Sequence, residues 1–293
     1  MTNNRTLVLG ASGMLGSAVL RAFHGRPGQS IVATVRSPSS IKYFTPEQQP
    51  DIISDIDVLD NDALVSLLNR TKPNVIINCV GLIKQLPSAK DPLVALPLNA
   101  LFPHKLARLA MLSGIRVVHV STDCVFSGAT GNYTEESKAD ATDLYGVSKH
   151  LGELVDYENS ITLRTSIIGR ELKSTNSLVD WFLAQKGEVK GFTKAIFSGL
   201  PTSELATIIR DVVIPNTALR GLYHVSAKPI SKYELLRLIA VEYKKDINIV
   251  PDDQFAIDRS LVSARFSAAS GYVAPDWHEL IKRMYETDFR GDK

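Results

Sequence analysis

Short apolar runs alternate along the chain with longer stretches whose apolar positions recur every three or four residues. Arg5–Leu9 is the first β-like run. After Gly10, Gly13 and Gly16 a helical spacing continues through Val19, Leu20 and Phe23, and Ile31–Val35 is a second strand. Leu64, Leu67 and Leu68 form a helical stripe, and Pro73-Asn74 introduces the apolar strand Val75–Val80. A helix spans Leu98 to Leu112 and ends at Ser113-Gly114, followed by the strand Val117–Val120. A helix beginning near Tyr145 continues from His150 to Tyr157, and Ile161–Leu163 is another strand. Continuous Val/Ile/Leu strands separated by helices predict an α/β fold with a parallel sheet covered on both faces, because a strand buried on both sides has no polar face to show.

The order loosens after Arg164. Glu204–Ile214 and Lys232–Tyr243 read as helices, with Leu222–Val225 as a strand between them, and Leu280 to Tyr285 is a short amphipathic end. No internal repeat or low-complexity segment interrupts the chain. The tail from about Thr165 is expected to form a smaller lobe, with Leu222–Val225 returning to the main sheet. The main domain is then residues 1–165 and about 203–228, and the lobe is about 166–202 and 229–293.

Composition narrows the function classes. The chain has 293 residues, 44% apolar and 22% charged, with a net charge of +2. A chain of this length can bury roughly three-quarters of its unfolded surface, so it needs no disulfide or metal staple. No block of one charge sign asks for a nucleic acid or an anionic membrane. The apolar stretch near the N-terminus is too short for a signal peptide, and no apolar run approaches the ~20 residues of a membrane span. Cys79 and Cys124 lie in no CxxC pair, which suits free thiols in a reducing compartment, the cytoplasm. The six histidines, at 24, 104, 119, 150, 224 and 278, show no HxxxH or HxH spacing, so no metal site is expected.

The glycines at 10, 13 and 16 follow a strand and open a helix. Glycine there allows a tight turn, close backbone approach to a pyrophosphate and close helix–sheet packing, and the helix N-terminus offers free N–H groups to phosphates. The expectation is a doubly wound, Rossmann-type dinucleotide-binding sheet. Where NAD-binding folds end the second strand with a carboxylate, this chain has Arg36 and Ser37. A cation and a hydroxyl suit the 2′-phosphate of NADPH better than NADH; the plainer reading is a solvated strand end. Asp57-Val58 follows the third strand and either brings a carboxylate near the adenine or caps the next helix.

Tyr145 and Lys149 stand four residues apart, on one helix face. A cation beside a phenol pulls its pKa down towards working pH, and such a Tyr can exchange a proton with a carbonyl or an alcohol. Ser121-Thr122-Asp123 closes the strand Val117–Val120. Ligands bind beyond the carboxyl ends of parallel strands, so Thr122 is placed to hydrogen-bond a substrate carbonyl, or simply to cap a turn. Lys84 and Gln85 follow the strand Val75–Val80, as sugar-site residues or as a solvated loop. Trp181 and Trp277 read as packing residues rather than a stacking platform.

Eight segments carry a resemblance: LVLGASGMLG (7–16), NCVG (78–81), LNALFPHKLA (98–107), STDCVFSG (121–128), YTEESKADATDLYGVSKHLGE (133–153), LRTSIIG (163–169), GLYHVS (221–226) and ISKYELL (230–236). They resemble the extended short-chain dehydrogenase/reductase superfamily and, within it, the dTDP-4-dehydrorhamnose reductase family. The resemblance implies Thr122, Tyr145 and Lys149 as catalytic residues. It implies cofactor contacts at Gly10, Ser12, Gly13, Met14 and Leu15, at Arg36, Ser37, Asp57 and Val58, and at Cys79, Val80, Gly81, Asn99 and Lys149. Substrate contacts are expected at Lys84, Thr122, Asp123, Cys124, Tyr145 and Ile167. The implied reaction is NADPH-dependent reduction of the 4-keto group of a nucleotide-linked 6-deoxyhexose. The expected partner is a nucleotide sugar, with no nucleic acid and no membrane, and a homodimer is allowed.

Three positions depart from the family pattern. Leu9 stands where many superfamily members have Thr, Cys124 replaces a common Tyr, and Ile167 replaces a usual Trp. The last two face the sugar in the family, so smaller side chains there suit a bulkier sugar, such as a UDP-linked 2-acetamido sugar; neutral repacking is the alternative. Two other readings of the chain are a sugar-nucleotide epimerase or dehydratase, and a non-catalytic NADP-binding subunit like the regulatory subunit of methionine adenosyltransferase. The intact Thr122, Tyr145 and Lys149 set argues against the last.

Overall fold

The structure is a computed structural model that describes residues 4–84 and 87–288. In chain order its elements begin with β1 (Asn4–Leu9), α1 (Met14–Phe23), β2 (Gln29–Thr34), β3 (Ile52–Ile53), α2 (Asn61–Thr71) and β4 (Val75–Asn78). Next, α3 (Pro92–Ala95) runs through a π-helical turn, Leu96–Leu101, into α4 (Phe102–Leu112). Then come β5 (Arg116–Thr122), α5 (Leu144–Leu151), β6 (Ser160–Thr165), β7 (Ile167–Ile168), α6 (Leu178–Ala184), β8 (Glu188–Phe197) and β9 (Leu200–Pro201). The chain continues with α7 (Thr202–Ile208), β10 (Gly221–His224), β11 (Ile230–Ser231), α8 (Lys232–Glu242), β12 (Asn248–Asp258), α9 (Ala264–Ser270) and α10 (Trp277–Glu286).

Seven strands form one parallel sheet in the order β10-β6-β5-β4-β1-β2-β3. Adjacent residues along its strands feed opposite faces, as the two-residue period of a strand requires. Val8, Ile77 and Val118 pack on one side with Val19, Leu20, Leu205 and Ile209. Their neighbours Leu7, Ile76 and Val117 pack on the other with Leu64, Leu67, Phe102 and Leu106. Both faces are therefore covered, which is why these strands read as unbroken apolar runs. The chain leaves β1 towards β2 and β3, then crosses back to place β4 on the other side of β1. The crevice at that reversal is where open α/β sheets bind ligands.

After β6 the chain builds a second, three-stranded sheet. There β11 is antiparallel to β8, and β12 is parallel to it with a register shift between Asp252 and Ala256. β7 and β9 form a short parallel pair. The sequence pattern does not foretell β8 or β12. No residue of β12 is fully buried, and Pro251, Asp252 and Asp253 break its apolar alternation.

One helix is shorter than its spacing predicts. The helix expected through Tyr157 ends at Leu151, with Gly152 as its C-cap. A side chain at Gly152 would collide with the Asn99 carbonyl, so α5 and the π-helical turn touch there backbone to backbone. Beyond it, Glu153 turns inward to Arg164 rather than following the helix.

Candidate active site

The glycine turn sits in the crevice between β1 and β4. Gly10 has φ +84°, and a Cβ there would press on Val80 Cγ2 at 3.0 Å and on the Cys79 backbone at 3.3 Å. A Cβ at Gly16 would run into the Gly10 carbonyl, so α1 packs directly against the turn. Gly13 is the N-cap of α1 and no side chain caps it, which leaves the helix entrance open to an anion. Ser12 and Met14 are half-buried at this entrance, and Leu15 is buried in the core. Arg36 and Ser37 follow β2 and are exposed.

Asp57 is exposed and accepts the Leu59 N–H at 2.9 Å, holding a local turn. The cap of α2 is Asp60, which accepts from Asp62 and Ala63, so of the two readings of Asp57 the capping one is wrong. Val58 is buried among Leu64, Leu67 and Val80.

The chemical groups meet at the carboxyl end of β5. Thr122, its last residue, accepts the Cys124 N–H at 3.1 Å and donates to Asp123 Oδ1 at 3.2 Å. α5 brings Tyr145 and Lys149. It starts where it does because Asp143 accepts the Gly146 N–H, and Gly146 lets the helix lie against the Cys124 carbonyl. The π-helical turn sets Asn99 beside them. Its amide donates to Ser148 Oγ at 3.1 Å, and its oxygen accepts the Leu82 N–H at 3.0 Å. Asn99 is thereby fixed between α5 and the strand end that carries Cys79, Val80 and Gly81.

The Tyr145–Lys149 electrostatics differ from the expectation drawn from their spacing. Burial raises the Tyr145 pKa above its ordinary value. Cys124, Asp123 and Asp143 push the same way, against the Thr122 hydroxyl. The Lys149 ammonium donates to the Val120 carbonyl at 2.9 Å, with Cys79 nearby. Burial lowers its pKa to about 8, opposed by Glu153 and Cys79. Tyr145 therefore holds its proton at neutral pH, the state a proton donor needs.

A buried ion pair braces this platform from below. Arg164 on β6 grips Glu153 through Nε at 2.9 Å and Nη2 at 2.6 Å, and Ser121 donates to the same carboxylate at 2.7 Å. Burial alone would raise the Glu153 pKa, but hydrogen bonds from His150, Arg164 and Ser121 with the Arg164 charge hold it at about 2. Arg164 also donates to His224 Nε2 at 2.9 Å, while His224 Nδ1 faces the Tyr133 carbonyl. Burial and the Arg164 charge lower His224 to about 4, so it is neutral.

The substrate side is built from several segments. Lys84 pairs with Asp143 at 2.8 Å, at the mouth of α5, and both are partly exposed. Gln85 lies outside the described residues. Burial raises the Cys79 thiol to about 12 and the Cys124 thiol to about 11, so neither is a thiolate at neutral pH. Ile167 is half-buried on β7, paired with Leu200. Sequence reasoning missed two cations. Lys232, the first residue of α8, stands 5.7 Å from the centre of the Phe197 ring and feels the charge of Asp123. Arg259, just after β12, donates to the Phe126 and Ser127 carbonyls and acts on Asp123. Lys232 lies in the resembling segment ISKYELL without a role that follows from it, and no motif marks Arg259; the second sheet brings both to the site. Among the described residues no cluster of His, Cys, Asp or Glu could hold a metal ion, and no helix is long and apolar enough to cross a membrane.

A glycine turn at the sheet's reversal point, with a Thr at the end of β5 and a Tyr and a Lys on the adjoining helix, defines a Rossmann-like α/β protein with the extended short-chain dehydrogenase/reductase fold. The chain belongs to the RmlD substrate binding domain family, whose model matches residues 4–289. It is 27% identical over 240 residues to dTDP-4-dehydrorhamnose reductase of Aggregatibacter actinomycetemcomitans, covering 78% of this chain and 76% of the relative. It is 25% identical over 258 residues to methionine adenosyltransferase 2 subunit beta of Rattus norvegicus, covering 81% and 72%. The crystal structure of dTDP-4-dehydrorhamnose reductase from Bacillus anthracis, in complex with NADP, superposes with a TM-score of 0.79 at 22% identity, covering 97% of this chain and 99% of that one.

Proposed function

We propose that the chain is an NADPH-dependent reductase of the 4-keto group of a nucleotide-activated 6-deoxyhexose. The observation that carries this reading is the convergence of Thr122, Tyr145 and Lys149 beside the glycine turn. The turn fits a dinucleotide. Any Cβ at Gly10 would crowd the strand end beside it, and the uncapped start of α1 leaves N–H groups for a pyrophosphate. Gly10, Ser12, Gly13, Met14 and Leu15 would hold the phosphates, and Arg36 with Ser37 the 2′-phosphate that sets NADPH apart from NADH. Cys79, Val80, Gly81, Asn99 and Lys149 would line the nicotinamide half, with Asp57 and Val58 towards the adenine. In the division of labour we assign, residues 1–165 and about 203–228 take the cofactor, and about 166–202 and 229–293 take the sugar nucleotide.

A dihydronicotinamide held there would supply the hydride for the carbonyl carbon. Tyr145 supplies the proton to the carbonyl oxygen, and its raised pKa keeps that proton in place until oxyanion character develops. Thr122 orients the same oxygen through its hydroxyl. Lys149, anchored on Val120, places a positive charge where the cofactor ribose is expected. The related dTDP-4-dehydrorhamnose reductases support the reaction type. Cys124 and Ile167, smaller than Tyr and Trp, favour a bulkier sugar, for which a UDP-linked 2-acetamido substrate is our choice.

The test is NADPH oxidation by the purified protein against dTDP- and UDP-linked 4-keto sugars. We expect turnover, with the UDP-linked 2-acetamido substrate preferred in kcat/KM. If dTDP-4-keto-rhamnose wins by tenfold, about 1.4 kcal/mol in the transition state, the two substitutions are repacking and the substrate choice is wrong. NADPH binding with no turnover on any keto sugar would overturn the reductase reading and favour a non-catalytic subunit.

A further inference from the structure

The segment that leaves β7 carries Lys173 back to the loop after β2. Its ammonium donates to Ser40 Oγ at 2.5 Å and stands 5.9 Å from the centre of the Tyr43 ring. Lys42 approaches the same ring, at 5.2 Å. Arg36 is near enough that its charge, after burial, lowers the Lys173 pKa. Among the described residues neither Lys173 nor Arg36 has a carboxylate partner. Two cations drawn together with no acid between them repel, and an anion placed between them turns that cost into attraction.

The fold holds Lys173 in this position. Leu172 beside it is buried in the core. The Glu171 carboxylate accepts from Ser174 Oγ at 2.8 Å and from the N–H groups of Asn176 and Ser177 at 2.8 and 3.2 Å, closing the segment into a compact turn. Asp180 in turn accepts the Glu171 N–H at 2.6 Å and Arg170 Nε at 2.6 Å. Lys173 is thus presented by an ordered turn rather than by a free loop. Ser40, which it contacts, ends a stretch that begins with Arg36 and carries the exposed hydroxyls of Ser37 and Ser39, 2.8 Å apart.

We infer that Lys173 is a second cation for the 2′-phosphate of NADPH, closing on it from the β7 side while Arg36 and Ser37 approach from the end of β2. This rests on the cofactor reading proposed above and adds a specificity-determining residue from outside the β1–β2 unit. It also ties phosphate recognition to the strand that carries Ile167, six residues earlier in the chain.

The experiment is equilibrium binding of 2′,5′-ADP and of 5′-ADP to the intact protein, by calorimetry, for wild type, Lys173→Met and Lys173→Arg. Wild type should prefer 2′,5′-ADP. Lys173→Met should weaken 2′,5′-ADP by about tenfold, the scale of one charge-assisted hydrogen bond, and leave 5′-ADP unchanged. Lys173→Arg, which keeps the charge, should retain most of the preference. An undiminished preference in Lys173→Met overturns the inference alone, as does an equal loss for both ligands, which would make Lys173 a structural prop for Ser40. A wild-type protein that binds the two ligands alike removes the NADPH reading itself, and this role with it.

Discussion

β4 and β6 of the seven-stranded sheet are buried at every position, whereas β12 of the three-stranded sheet has no fully buried residue. The difference sorts the candidate site. β5, covered on both faces, places Thr122 at its end, and the helices packed on the sheet bring Asn99, Tyr145 and Lys149 beside it. The three-stranded sheet, whose strand β12 has no fully buried residue, sends long cationic groups to the site: Lys232 after β11 and Arg259 after β12. The first arrangement suits bond-making, where a displacement of an ångström is costly. The second suits reading the polar parts of a substrate.

Three substitutions can break or sharpen this contrast. Tyr145→Phe keeps the ring and removes the proton donor. It should lower kcat by about 10²–10⁴-fold and leave NADPH affinity intact; near wild-type turnover would dissolve the chemical role of the large sheet.

Glu153→Gln should reveal how firmly that platform is braced. Removing one partner of a buried pair costs about 3–5 kcal/mol of stability, read by chemical denaturation. The wild-type pH dependence follows from the depressed pKa values of Glu153, of His224 and of the fully buried His119, which burial holds well below the ordinary histidine range. The folded protein holds His224 near 4 and Glu153 near 2, each below its ordinary value. Each therefore contributes stability that is fully present above its ordinary pKa and lost as pH falls through the folded one. Tm should drop first as pH falls below about 6.5, through His224 and His119, then again from about 4.5 towards 2, through Glu153. Glu153→Gln should lose the lower window, and an unchanged acid profile would show that the brace is not Glu153.

Lys232→Met should have the smallest effect, a loss of about tenfold in kcat/KM for the sugar nucleotide, the scale of one hydrogen bond to a charged group. It should appear mainly in KM, with NADPH affinity unchanged. A loss confined to kcat would place Lys232 in the chemistry and erase the division between the sheets.

The parallel sheet was legible in the sequence because its physics is local. Strands covered on both faces, such as β1 and β4, carry near-continuous apolar runs, and a Cβ at Gly10 or Gly16 would press on neighbouring backbone. Thr122 and the Tyr145/Lys149 pair could be picked out for the same reason, each by its place on one element. Whatever depended on distant chain was not legible. β8 and β12 pair with each other and show no clean alternation, and Lys232, Arg259 and Lys173 approach their neighbours from other elements. The end of α5 was misread because the Asn99 carbonyl, far away in sequence, occupies the space a side chain at 152 would need. Helical spacing likewise gave the Tyr145/Lys149 face but not the direction of the ammonium, which the Val120 carbonyl decides.

The edge strand β10 has a consequence for synthesis. It pairs with β6, yet 55 residues lie between Thr165 and Gly221, and β8 is built from that interval. A ribosome adding about 5–20 residues per second takes roughly 3–11 s to cross such a gap. Throughout that time the backbone edge of β6 is unpaired, able to template a strand from another chain. The emerging chain is thus most exposed to aggregation after its dinucleotide-type half has been made and before residues 221–224 arrive, and that interval is where a chaperone would have most to protect.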